Sequence, residues 1–199
     1  AENRFGTNNS LSDFPYAELC YIISNMDDVR IIIGAIECLR MALKFDFDFD
    51  SDVDDLIKSK ITEDAINSLE NFMKSENTDL NKATINIISI INQLSENLCN
   101  QFCAAGLATA LAPYVPHNLA TFAIQSSMKK CSDEFSLKFL FLLFQAVTST
   151  DDELIALHFF SGIDIFTCRF GFDSIPDQLS DEEIDPGTIF ECKNILFYL

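Results

Sequence analysis

Ile66-Asn67-Ser68-Leu69-Glu70-Asn71-Phe72-Met73, a polar break at Ser75-Glu76-Asn77, and Lys82-Ala83-Thr84-Ile85-Asn86-Ile87-Ile88-Ser89-Ile90-Ile91-Asn92 form one helix–break–helix unit. Asn97-Leu98-Cys99-Asn100-Gln101-Phe102-Cys103-Ala104-Ala105-Gly106-Leu107 closes it. Its apolar residues return at helical spacing, and similar units come round about every 50 residues along the chain. A unit that buries its apolar face only against the next copy builds a solenoid, and such arrays mostly serve as binding surfaces for other proteins.

Helical periodicity extends outward from this unit. Ser12-Asp13-Phe14-Pro15 starts a helix over 16–25, with proline placed in the first turn, where its missing N–H costs nothing. Met26-Asp27-Asp28 breaks it, and a longer helix over 29–44 carries Ile33, Ile36, Leu39 and Leu43 along one side. Phe45-Asp46-Phe47-Asp48-Phe49-Asp50 alternates as a strand does, but one strand in a helical chain has no partner, so an acidic loop is expected.

Short helices over 53–60 and 63–74 follow, then a long one to about residue 95 capped by Thr78. The helix over 96–105 stops at Gly106. Residues 107–115 are interrupted by Pro113 and Pro116, residues 117–130 form an inserted helix or loop, and a very apolar helix runs over 133–149. Thr150-Asp151-Asp152-Glu153 is a capping box that opens a short helix ending near Gly162. Residues 163–170 continue, an acidic loop spans 172–185, and a last helix from about residue 186 reaches Leu199. That end is apolar where a solenoid closes on a polar cap, so the array is expected to continue or to be covered.

A formal net charge of −18 over 199 residues argues against nucleic acid, which demands clustered Lys and Arg, and against anionic membrane surfaces. A basic partner is its complement; keeping an apolar chain in solution is its plainer use. No apolar run reaches the roughly 20 residues of a membrane span. Seven cysteines spread singly, with no C-x-x-C pair, read as buried free thiols in a reducing compartment, the cytosol or nucleus.

Chemistry finds little footing. Asp46, Asp48 and Asp50 imitate the opening of a calcium loop, but Ser51 and Ile57 stand where that loop needs glycine and a bidentate glutamate. His158 reads as a structural side chain, and no nucleophile elbow or phosphate-cradling glycine loop exists. The expectation is a protein that is not an enzyme and carries no cofactor or metal.

The order of short helix, medium helix, sharp turn and long helix resembles an armadillo repeat. Asn97 to Leu107 looks like the armadillo segment whose polar first helix ends at a glycine, and Asp152-Glu153-Leu154-Ile155-Ala156-Leu157-His158-Phe159-Phe160-Ser161-Gly162-Ile163 looks like the same segment one repeat on. Within that family, Ala35-Ile36-Glu37-Cys38-Leu39-Arg40-Met41-Ala42-Leu43 and Ser51-Asp52-Val53-Asp54-Asp55-Leu56-Ile57-Lys58 are similar to the start of importin-α, the adaptor for nuclear localisation signals.

The resemblance implies an all-α, right-handed α–α superhelix of about three and a half to four repeats. Residues 1–13 would be an extension, with repeats near 14–50, 51–95, 96–149 and 150–199. It implies a concave groove that binds an extended basic peptide, with an importin-β-like carrier as a second partner. The family's asparagine ladder, which bonds the cargo backbone, maps onto Arg40, Asn92, Gln145 and Asn194. Its tryptophans, four residues earlier, map onto Ile36, Ile88, Phe141 and Phe190, and the chain contains no tryptophan. Phe141 and Phe190 keep a face for a cation; the isoleucines do not. The rival reading is a scaffold that binds a folded partner by surface patches.

Overall fold

In the computed structural model the described residues are 14–46, 54–115, 118–148, 161–165 and 167–169. Every regular element among them is helical, and the protein is all-α. The first helices are α1 (Tyr16–Asn25), α2 (Val29–Asp46), α3 (Asp54–Lys60), α4 (Glu63–Phe72), α5 (Thr78–Leu94) and α6 (Glu96–Ala104). After them come α7 (Leu107–Leu111), a 3-10 turn (Ala112–Tyr114), α8 (Asn118–Met128) and α9 (Asp133–Thr148). The chain divides into two compact units, Ala1–Ala105 and Gly106–Leu199.

Local chemistry sets the helix ends in the first unit. Pro15 stands just before α1, and Asp28 Oδ1 accepts from Arg30 N at 2.9 Å at the start of α2. Thr62 caps α4 by accepting from Ala65 N at 3.3 Å. The cap of α5 is Asn77, whose Oδ1 accepts from Leu80 N at 3.0 Å; Thr78, expected to cap it, is the first helical residue. Buried Ser95 separates α5 from α6 and caps the latter through Leu98 N at 3.1 Å. Each cap satisfies an N–H that has no partner within its helix. At the end of α6 the chain turns at Gly106, whose φ of 104° lies in the left-handed region that glycine adopts without a steric penalty.

Packing follows the apolar stripes. α2 lies along α5, α1 along α4, and α1 and α4 pack on α2 and α5 respectively, so long helices neighbour long and short neighbour short. The core stripe of α2 is Ile32, Ala35, Ile36, Leu39, Ala42 and Leu43. Ile33, expected in it, is half-buried at its edge, because 100° per residue carries it past the α1–α5 side. An acidic loop was expected from Phe45; α2 instead runs through Asp46, and 47–53 lie outside the described residues.

In the second unit α8 packs on α9, and α7 touches both. The stretch 117–130, read as a helix or loop, is helical over Asn118–Met128. Its Ser126 and Ser127 are buried because their hydroxyls donate to the carbonyls of Phe122 (2.8 Å) and Ala123 (2.7 Å) four residues back. Residues 161–165 are helical and include Gly162, near which a short helix was expected to end; the residues in which that helix was expected to begin lie outside the described residues. A Cβ at Gly162 would collide with Leu143 Cδ1 of α9, so this glycine permits close approach of two segments. The capping box at 150–153 lies outside the described residues.

Candidate functional site

The binding positions expected from the ladder are unevenly placed. On α2, Arg40 is held by its own helix: its Nε donates to Glu37 Oε2 at 2.8 Å, an i,i+3 ion pair with 26% of the arginine side chain exposed. Ile36, four residues earlier, is fully buried. On α5, the helix packed against α2, Ile88 and Asn92 are both 0% exposed. Asn92 is bonded within the fold, while its Oδ1 receives no hydrogen bond among the described residues. In this state neither side chain has surface to offer an extended segment.

In the second unit Phe141 is half-buried on α9. Gln145 lies on the same helix one turn on, and its side chain is outside the described set. Phe190 and Asn194 also lie outside the described residues, as do His117, His158, Asp48 and Asp50. Of the eight expected positions, then, the fold brings Ile36, Arg40, Ile88 and Asn92 onto two packed helices.

Thiol reactivity is also divided by the fold. Cys20, Cys99, Cys103 and Cys131 are buried, whereas Cys38 and Cys168, expected to be buried too, are exposed. Burial pushes the Cys20 thiol up from its ordinary value against the opposing pull of hydrogen bonds from Thr62, and its Sγ donates to Lys60 O at 3.6 Å. Among the described residues no three His, Cys, Asp or Glu side chains converge as a metal set, and no helix is long and apolar enough to cross a membrane.

Two features escaped the sequence reading. In the second unit, Arg169 Nη1 donates to Met128 O (2.7 Å), Cys131 O (2.7 Å) and Ser136 Oγ (3.0 Å), while Nη2 reaches Asp133 Oδ1 at 3.4 Å. One guanidinium thus ties the end of α8 to the start of α9, using donors that no local pattern announces.

The other feature is on α2. Phe14, Glu37, Cys38, Met41, Ala42 and Phe45 line an open, almost wholly apolar hollow of about 410 Å³. Phe45 is 72% exposed and Met41 43%. The signal was present as a second apolar periodicity on α2, offset from the first. No protein-family model matches the chain, and no curated protein matches it either.

Proposed function

We propose that the chain is a non-enzymatic protein-binding adaptor of armadillo type, a divergent relative of importin-α built as a right-handed α–α superhelix. The observation that carries this reading is the stacking of like on like in the first unit, with α1 along α4 and α2 along α5. That is the neighbour relation of successive repeats, each burying the face its predecessor leaves open. Gly106 in the left-handed conformation between α6 and α7 supports it further, since the armadillo segment turns at a glycine there.

A formal net charge of −18 makes a basic partner the natural cargo, drawn in by long-range attraction. On this reading the protein works in the cytosol or nucleus, with an extended basic segment of another protein and an importin-β-like carrier as partners. The enclosure of Ile88 and Asn92 favours a second mode. In it the same solenoid is a scaffold that binds a folded partner by surface patches, and the groove positions are inert.

An array of basic extended peptides separates the two modes, read against wild type and the Asn92→Ala/Asn194→Ala double variant, with far-UV circular dichroism to confirm the fold. The clamp mode expects binding that weakens at least tenfold in the double variant and falls with added salt. Peptide binding that the double variant leaves unchanged sinks the clamp and leaves the scaffold.

A further inference from the structure

We infer that the outer face of α2 is a docking seam for an amphipathic helix of another protein. Ile31, Gly34, Cys38, Met41 and Phe45 follow one another at intervals of three, four, three and four residues. At 100° per residue they fall within an arc of about 80°, the seam spacing of helices that pair side by side. Ile31, Met41 and Phe45 are 45%, 43% and 72% exposed, and Cys38 is exposed among them. A helix buried by its own fold on one stripe has no internal use for a second apolar stripe standing in water.

Gly34 adds an independent observation. It sits mid-helix, where glycine costs about 1 kcal/mol relative to alanine. Among the described residues a Cβ there would meet nothing within 4 Å, so none of them requires the glycine. A second helix crossing close at that point does.

The charges choose the occupant. The free edge of the seam carries Arg30, Glu37 and Lys44 at seven-residue intervals, with Glu37 fixed by its ion pair to Arg40 and Arg30, its side chain 91% exposed, reaching back to Asp28 at 3.3 Å. The opposite edge is the alanine side of the buried stripe, Ala35 and Ala42. Two copies paired antiparallel about Cys38 set Arg30 against Lys44 and Glu37 against Glu37, and each chain brings a net charge of −18. A parallel copy would set each charged edge against the other's alanine edge, so a second copy pairs these charges in neither direction. The helix that fits has apolar side chains at three- and four-residue spacing and an edge reading acid, base, acid at seven-residue intervals. That edge is the same in either direction. This seam stands on α2 alone and is independent of how the groove is used.

The probe is a designed helical peptide of about three heptads with leucines on the seam and a Glu–Lys–Glu edge; the control carries Lys–Glu–Lys. With the full chain, fluorescence anisotropy is expected to show the first peptide binding about tenfold tighter than the control. Saturating peptide is expected to protect Cys38 from alkylation while Cys168 still reacts. Met41→Glu, a change at a half-exposed position, is expected to weaken binding at least tenfold with the far-UV spectrum unchanged. Arg30→Glu/Glu37→Lys/Lys44→Glu is expected to reverse the peptide preference. Equal affinity for the two peptides, an unprotected Cys38, or indifference to Met41→Glu overturns the proposal. A wild-type dimer that Met41→Glu dissolves also overturns it, in favour of a second copy.

Discussion

Helices α2 and α5 are almost the same length, 18 and 17 residues, and lie side by side in the first unit, yet they meet water differently. α5 is enclosed nearly all round: Ile85, Ile87, Ile88, Ile90 and Ile91 occupy several faces of the helix, and Ile85, Ile87, Ile88 and Ile91 are fully buried. Its polar residues are accommodated by back-bonding, with Thr84 Oγ1 donating to Leu80 O at 2.8 Å and Ser89 Oγ to Asn86 O at 2.7 Å. α2 buries one stripe and leaves a second exposed. The difference is one of neighbours: α5 has α2, α3, α4 and α6 around it, while α2 packs chiefly on α1 and α5. An apolar surface on a helix becomes core or contact surface according to what stands beside it.

The largest test of this contrast pairs a deletion on each helix. Ile91→Ala in the enclosed face of α5 is expected to cost about 2–5 kcal/mol in urea denaturation, the range for truncating a buried isoleucine. Met41→Ala on the open face of α2 is expected to cost less than about 0.5 kcal/mol. Comparable losses at the two sites would break the comparison, because Met41 would then be part of the core.

Gly34→Ala sharpens it from the other side. With open space around the new methyl and better helix propensity, the variant is expected to gain about 1 kcal/mol, read as a raised urea midpoint at unchanged slope. A loss would show that the outer face of α2 is already crowded.

The smallest effect belongs to the start of α2. The guanidinium of Arg30 and its backbone N–H hold the Asp28 carboxyl below its ordinary 3.8, so the folded state favours the carboxylate. That contribution is present above 3.8 and is lost as pH falls through the lower folded value. Both partners are exposed, so wild type should exceed Asp28→Asn by only a slight margin near neutrality, one that fades at the acid end and shrinks with salt. A margin that persists in strong acid would mean that the two differ by something other than this charge.

Much of the helix pattern was legible because its signals are local. Breaks at Met26-Asp27-Asp28 and Ser75-Glu76-Asn77, and the glycine stop at Gly106, act within a turn of chain, and the helices fall where those signals put them. Errors arose where two residues competed for one role, as when Asn77 capped α5 in place of Thr78. The stretch 117–130 stayed open between helix and loop because its serine hydroxyls find their acceptors, carbonyls four residues back, only once the helix has formed. The close approach of Gly162 to Leu143 gave no sign in the sequence because the two lie far apart along the chain.

The candidate site was less legible. Arg40 and Asn92 were expected at matching points of α2 and α5, but periodicity is silent on whether a polar side chain faces a ligand, a neighbour or the interior; here Arg40 engages Glu37 and Asn92 is enclosed. The sequence by itself determined that this is a helical protein, where most described helices start and stop, and that it carries a large negative charge, because caps, breaks and ionisable groups act at short range or by composition. Only the tertiary structure decided that a second apolar stripe on α2 stays exposed, that Cys38 stays open while Cys20 is sealed, and that Arg169 ties α8 to α9. Burial depends on neighbours brought from elsewhere in the chain, and no local pattern specifies them.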